Sequence, residues 1–159
     1  MEIIIYTDGA AKGNPGPGGF GAVLMAGQFY KEISQGFRHT TNNRMELLAV
    51  ICALELLKND NSSVTIYSDS KYVVDAVEKR WIQGWIKRGW KNVKNPDLWK
   101  RYIAVASKHK VKFIWVKGHA GNLHNERCDV LAVEASMGRN LPEDTGYQPD
   151  WAIFSRARV

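Results

Sequence analysis

Runs of apolar residues set the rhythm of the chain. Ile3, Ile4 and Ile5 form an unbroken β-branched stretch that suits a strand buried on both faces, so residues 1–7 are predicted as a first strand. That strand runs into Asp8-Gly9. A loop follows, Gly13-Asn14-Pro15-Gly16-Pro17-Gly18-Gly19, denser in glycine and proline than a plain hairpin turn requires. Residues 20–25 and 29–36 read as two more strands around a turn at Ala26-Gly27. The second alternates, with Phe29, Lys31, Ile33 and Gln35 on one side and Tyr30, Glu32 and Ser34 on the other. Three such strands in succession predict an antiparallel meander.

The pattern then turns helical. Residues 45–57 are apolar almost all round, as in a helix packed on several sides. Asn42 or Asn43 is placed to cap it, and Asn43 with Glu46 fits a capping box. The rival reading aims the Glu46 carboxylate at the end of the first strand. Residues 64–67 form a short strand that again ends in an acid, Ser68-Asp69-Ser70, with a helix over 71–79 starting at once. An N-cap role for Asp69 or Ser70 would account for that by itself. Yet strand, acid and helix repeat the layout at Asp8. If the two strands are parallel neighbours, both carboxylates lie at the strands' carboxyl ends, where open α/β sheets place ligands.

Farther on, Pro96-Asp97 opens a helix that runs to Lys108, and residues 111–116 form the last strand. The polar loop 117–122 holds His119, suited to carrying a proton and equally to being an ordinary surface histidine. A helix follows, with Cys128, Leu131, Ala132 and Ala135 as its apolar face. Asp129 lies beside that face, where an unpaired buried acid would be costly. Residues from 141 onward read as a loosely held tail.

Charge adds a direction. The chain has 159 residues, one domain's worth, and a net charge of +6. Residues 71–101 carry nine Lys or Arg against three acids, which is the whole excess. A basic block of this kind points to a polyanion. Within residues 80–95, Trp81, Trp85 and Trp90 interleave with Lys87, Arg88, Lys91 and Lys94. Packing and a solvated charged face would explain this segment. So would a grip on a nucleic-acid backbone by flat rings and cations. Cys52 and Cys128 fall in apolar helical patterns and read as free thiols in a reducing compartment. No stretch is apolar enough to span a membrane and no export signal is evident, so a cytoplasmic protein is expected.

Asp8, Glu46, Asp69 and Asp129 thus sit at element ends or first turns of a protein whose other charge favours a polyanion. Acids in a basic nucleic-acid groove make chemical sense if they hold divalent cations. Mg²⁺ takes oxygen ligands and keeps positions open for phosphate. Two such ions about 3.5–4 Å apart can activate a water and stabilise the leaving oxygen of a phosphodiester.

Five stretches together closely resemble bacterial type 1 ribonuclease H over about residues 3–147. They are Tyr6-Thr7-Asp8-Gly9 with the 13–19 loop; Thr40-Thr41-Asn42-Asn43-Arg44-Met45-Glu46; Ser68-Asp69-Ser70; Trp115-Val116-Lys117-Gly118-His119-Ala120-Gly121; and Asn125-Glu126-Arg127-Cys128-Asp129. Asp144-Thr145-Gly146-Tyr147 matches as well.

The resemblance implies an α/β fold: a mixed five-stranded sheet, antiparallel meander plus parallel strands, flanked by helices on both faces. It implies hydrolysis of the RNA strand of RNA–DNA hybrids, leaving 5′-phosphate and 3′-hydroxyl ends. By the same resemblance Asp8, Glu46, Asp69 and Asp129 hold Mg²⁺, with Mn²⁺ as a substitute, and His119 assists proton transfer or product release. Gly13, Asn14, Asn42 and Asn43 meet the RNA, whose 2′-hydroxyl separates it from DNA. Thr41 meets a DNA phosphate, and Trp81, Trp85, Lys87, Arg88 and Lys91 belong to a handle that grips the DNA strand. The expected organisation is a catalytic domain over 1–147, with 80–95 as its handle and 148–159 as a tail, acting as a monomer.

Three positions depart from the family pattern. Ala10 stands where Ser is frequent, His39 where Arg is frequent, and Lys71 where Gln is frequent. The 91–97 segment is also short. Two other readings remain open at this stage: a hybrid-binding module without catalysis, and a DNA-strand nuclease or integrase-like enzyme of the same fold.

Overall fold

The computed structural model describes residues 2–118 and 121–148. Five strands and five helices follow one another as β1 (Glu2–Ala11), β2 (Gly16–Ala26), β3 (Phe29–Thr40), α1 (Asn42–Glu55), β4 (Ser63–Ser68), α2 (Lys71–Glu78), α3 (Trp81–Lys87), α4 (Pro96–Ala106), β5 (Lys110–Trp115) and α5 (Leu123–Ser136). The sheet order is β3-β2-β1-β4-β5. β1 to β3 form the antiparallel meander, while β4 pairs parallel with both β1 and β5. This is the mixed five-stranded sheet the family resemblance implies.

Two glycines show how closely the helices seat on the sheet. A Cβ on Gly9 would meet the Glu46 amide nitrogen and come within 2.6 Å of the Met45 carbonyl carbon, so α1 lies directly on that face of β1. A Cβ on Gly21 would lie 2.6 Å from both the Cys128 carbonyl oxygen and the Leu131 side chain, so α5 covers the opposite face. α1 carries a large share of the core. Met45, Leu47, Ala49, Val50, Ile51, Ala53 and Leu54 are fully buried, in one cluster with Ile5, Val64 and Ile66 of the sheet and Leu98 and Trp99 of α4. Cys52 is half-buried and Cys128 buried, both as free thiols that burial pushes above the ordinary range.

Three expectations are corrected. First, the glycine and proline run is mostly strand. β1 continues to Ala11 and β2 begins at Gly16, paired as far as Ala11 with Gly18, so the connection is a hairpin turn after all. Its tip is closed by the Lys12 amide donating to the Pro17 carbonyl at 2.9 Å. Backbone pairing to β1 holds glycines in a ladder that side-chain propensity alone would not predict.

Second, the cap of α1 is Thr41. Its hydroxyl accepts from the Arg44 amide at 3.2 Å in extended backbone geometry, and Asn42 and Asn43 are already helical. Glu46 is therefore past the reach of a capping box.

Third, residues 141–147 are tied down. The Arg38 amide donates to the Pro142 carbonyl at 2.8 Å, and Arg38 pairs with Glu143 at 2.6 Å. The Thr40 hydroxyl donates to Asp144 at 2.7 Å, and the Tyr147 ring lies 5.5 Å from His39. Of the expected tail 148–159, residues 149–159 lie outside the described part.

Trp85, expected in the handle, is half-buried. Its ring stands edge-on to Trp99 at 5.3 Å and lies 6.4 Å from Trp90, joining α3 to α4.

Candidate active site and nucleic-acid interface

The parallel pairing of β1 with β4 sets the site. Thr7 stands opposite Ser68, so Asp8, where β1 runs on past its last pair with β4, and Asp69, just beyond the end of β4, lie at the same level. Glu46 arrives from α1, one and a half turns past its cap, at the point where Gly9 lets the helix touch the strand. One carboxylate oxygen from each of Asp8, Glu46 and Asp69 lies within 4.8 Å of the others. Asp8 and Glu46 are buried and Asp69 is half-buried.

Packing carboxylates this tightly costs energy unless something offsets their charge. Burial, then the charges of Asp69 and Asp129, raise the Asp8 carboxyl to about 7, although bonds to Glu46 and Gly9 oppose the shift. Burial, with Asp8 next to it, holds Glu46 well above the usual carboxylate range. The Gly9 amide donates to Asp8 Oδ1 at 2.8 Å. Glu46 Oε2 is buried with no hydrogen-bond partner among the described residues.

An orphaned buried oxygen among carboxylates fits a hard divalent cation, which takes oxygen ligands and offsets the repulsion. Asp129, half-buried on α5, is outside the 4.8 Å group and reaches Asp8 through its field. His119 lies outside the described residues.

Beside the acids, the hairpin tip is fastened to the start of α1. The Asn42 amide donates to Asn14 Oδ1 at 2.9 Å, and Asn42 Oδ1 accepts from the Ala11 amide at 2.5 Å. Both side-chain oxygens are thus occupied, which leaves the two amino groups as donors for a ligand. Gly13 and Asn14 take positive φ there, at 75° and 25°. Asn42 and Asn43 share a cleft of about 480 Å³ with Glu46 and Asp69. A second cavity of about 680 Å³ is lined by Asn14, His39, Thr41, Asn43, Asn95 and Tyr147, among others. Past α3, Trp81 keeps an exposed face with the Lys79 ammonium 6.0 Å from its ring, and Lys87, Arg88 and Lys91 are exposed.

The sequence reading missed the clamp beneath these two clefts. Arg44 is buried yet ionised. It donates to Asp97 at 2.9 and 2.7 Å, to Asp144 at 2.6 and 3.0 Å and to Asn95 at 3.2 Å. Burial alone would lower its pKa, but the bonds to the two acids outweigh it and raise the guanidinium above its ordinary range. An arginine inside an otherwise apolar helix was the available signal, since such a charge is buried only with partners.

Comparison with known proteins agrees with this geometry. The RNase H family model matches residues 1–137. Ribonuclease H of Syntrophus aciditrophicus (strain SB) is 54% identical over 151 residues, covering 92% of this chain and 87% of that protein. Ribonuclease H of Trichodesmium erythraeum (strain IMS101) is 54% identical over 152 residues, covering 92% and 96%. Among solved structures, LC9-RNase H1, a type 1 RNase H with the type 2 active-site motif, is similar with a TM-score of 0.77 at 30% identity, covering 97% of this chain and 80% of that one. LC11-RNase H1 in complex with RNA/DNA hybrid is similar with a TM-score of 0.59 at 30% identity, covering 84% and 95%. With strand order, acid geometry and sequence all in agreement, the chain belongs to the RNase H family.

Proposed function

We propose that Asp8, Glu46 and Asp69, with Asp129 beside them, are the carboxylates with which this chain hydrolyses the RNA strand of RNA–DNA hybrids. Membership of the family makes it an endonuclease for such hybrids. The observation that carries the site assignment is the three-acid cluster with its orphaned Glu46 oxygen. Mg²⁺ is the cation these oxygen donors suit; Asp8, Glu46 and Asp69 would hold it, and two such ions would supply an activated water and charge stabilisation at the leaving oxygen.

The chain's own groups do the rest. Asp8, held within the β1–β2 ladder, and Asp69, just past the end of β4, hold the cluster in place with little reorganisation. Asn14, Asn42 and Asn43 offer donors to the RNA face of the hybrid, where the 2′-hydroxyl identifies the strand to be cut. Thr41 lines the adjoining cavity, suited to a phosphate of the DNA strand. Residues 80–95 act as the handle, with Trp81 offering a ring face and Lys87, Arg88 and Lys91 offering charge. Trp85 sets the pose of that handle from inside. His119 is the proton carrier of this reading. A monomer suffices, since all the named groups come from one chain. The products carry 5′-phosphate and 3′-hydroxyl ends. Free thiols at positions 52 and 128 suit a cytoplasmic setting, and no helix among the described residues is long and apolar enough to cross a membrane.

The test is cleavage of an end-labelled hybrid with Mg²⁺ and with chelator, run beside duplex DNA and duplex RNA. RNA-strand cleavage confined to the hybrid and abolished by chelator is expected. Binding without cleavage, or equal cutting of duplex DNA, would overturn the assignment.

A further inference from the structure

Lys71 is the first residue of α2 and lines the same cleft as Glu46, Asp69, Asn42 and Asn43. Its ammonium lies 4.9 Å from the centre of the Trp115 ring. That ring is itself anchored, because the Trp115 indole N–H donates to the Asp69 carbonyl oxygen at 3.1 Å. The indole is 44% exposed at the end of β5, so it is held by this bond more than by burial. One strand end therefore fixes an acid of the cluster, the indole, and through the indole a lysine.

Helix stability does not explain the lysine. The N-terminus of a helix carries partial positive charge and favours acids, and an ammonium at the first position opposes that field. The first turn of α2 holds no acid that would compensate, and Ser70 already provides the cap by accepting from the Val73 amide. An ammonium has three donors and no acceptor, so its partner must present lone pairs. In a cleft that receives a nucleic-acid backbone, phosphate oxygens are the strongest such partners.

We propose that Lys71 is a substrate-binding residue that takes a backbone phosphate flanking the one at the carboxylates, and that Trp115 positions it. The assignment rests on the hybrid-cleaving reading and adds a phosphate contact to it. The carboxylate cluster repels the polyanion it must receive. A cation at its rim, braced against an aromatic face, offsets that repulsion for the neighbouring linkage while leaving the acids free.

The experiment measures hybrid binding by chelator-treated protein across a salt series, for wild type, Lys71→Ala, Lys71→Arg and Trp115→Leu. A set of hybrids with one uncharged methylphosphonate linkage, moved stepwise along the RNA strand, is bound in parallel. Lys71→Ala is expected to weaken binding roughly three- to tenfold and to lower the salt slope by about 0.7–0.9. Lys71→Arg restores both, and Trp115→Leu moves both the same way by a smaller factor. One linkage position costs wild type that same factor and costs Lys71→Ala nothing further.

Removing a cation from a helix N-terminus does not threaten folding, so the Lys71→Ala melting temperature should equal or exceed that of wild type. Unchanged affinity and slope in Lys71→Ala, or equal penalties in both proteins at every linkage, would overturn the proposal. Cleavage of the unmodified hybrid by wild type tests the underlying reading separately. If it fails, that reading fails. If it succeeds beside an unchanged Lys71→Ala, only the lysine assignment falls.

Discussion

Arg44 and Asp144, a hundred residues apart in the chain, are joined by two hydrogen bonds of 2.6 and 3.0 Å. Arg44 is 1% exposed and the Asp144 side chain 7%, so neither charge has water to fall back on. Asp97 shares the guanidinium but is 41% exposed. Breaking a buried pair leaves one charge uncompensated at a cost of about 3–5 kcal/mol. Asp144→Asn should therefore lower unfolding free energy by about 3 kcal/mol, read from urea denaturation. A loss below about 0.5 kcal/mol, the size of an ordinary surface change, would show the clamp to be unimportant.

The carboxylate cluster predicts opposite changes in stability and activity. Asp8→Asn should abolish cleavage, because it removes charge from the cluster. It should also stabilise the cation-free protein at pH 8, because it removes a buried repulsion. The gain is on the order of 2 kcal/mol, less than the full raised-pKa value because the acids relax together. Thermal melts in chelator check this, and a destabilised variant would count against the repulsion.

The pH dependence has a defined sign. A carboxyl whose folded pKa lies above its unfolded value keeps its proton longer in the folded chain. Asp8 moves from an ordinary value near 4 to about 7, and Glu46 shifts the same way. Their contribution to stability without cation is therefore greatest at acid pH and declines as pH rises through about 7. Divalent cations compete with that proton, so Mg²⁺ should raise the melting temperature more at pH 8 than at pH 6. Calorimetry at the two pH values decides it, and an equal increment at both would contradict the raised carboxyl values.

Gly9 offers a steric test. A Cβ there would meet the Glu46 amide and lie 2.6 Å from the Met45 carbonyl carbon, so strand and helix must part. Overpacking of this kind costs about 1–3 kcal/mol. Gly9→Ala should lose that much stability and at least about tenfold in kcat, since small misplacements of reacting groups are costly. Wild-type kcat in this variant would mean that the spacing of Asp8 and Glu46 is not critical.

The basic handle should show in salt dependence. Replacing Lys87, Arg88 and Lys91 together with Ala should weaken hybrid binding and flatten its dependence on salt by up to about 2–3 in slope. Filter binding across a salt series measures it, and an unchanged slope would place the interface elsewhere.

Much of this site was legible in the chain because its signals are local. β-branched runs ending in Asp8 and in Asp69 mark two strands, and their parallel pairing, a condition in the sequence, is met in the fold. Other features were hidden by distance. The 141–147 segment has no apolar rhythm and reads as a tail. Its order comes from Arg44, Thr40 and Arg38, far away in sequence. Trp81 and Trp85 share a helix face by spacing, and only the position of Trp99 decides which of them turns inward. Thr41 took the cap from two asparagines because its backbone is the last extended residue before α1.

The reach of Asp144 back to the opening turn of α1 has a consequence for synthesis. The helix that delivers Glu46 and the asparagines is made early, yet its buried cation is neutralised by a residue translated a hundred positions later. Asp97 supplies part of the neutralisation earlier, but in the growing polypeptide the cutting centre is not fully secured until residue 144 has been made. A chain ended at residue 141 stands in for that intermediate, and full hybrid cleavage by it would show that maturation does not wait.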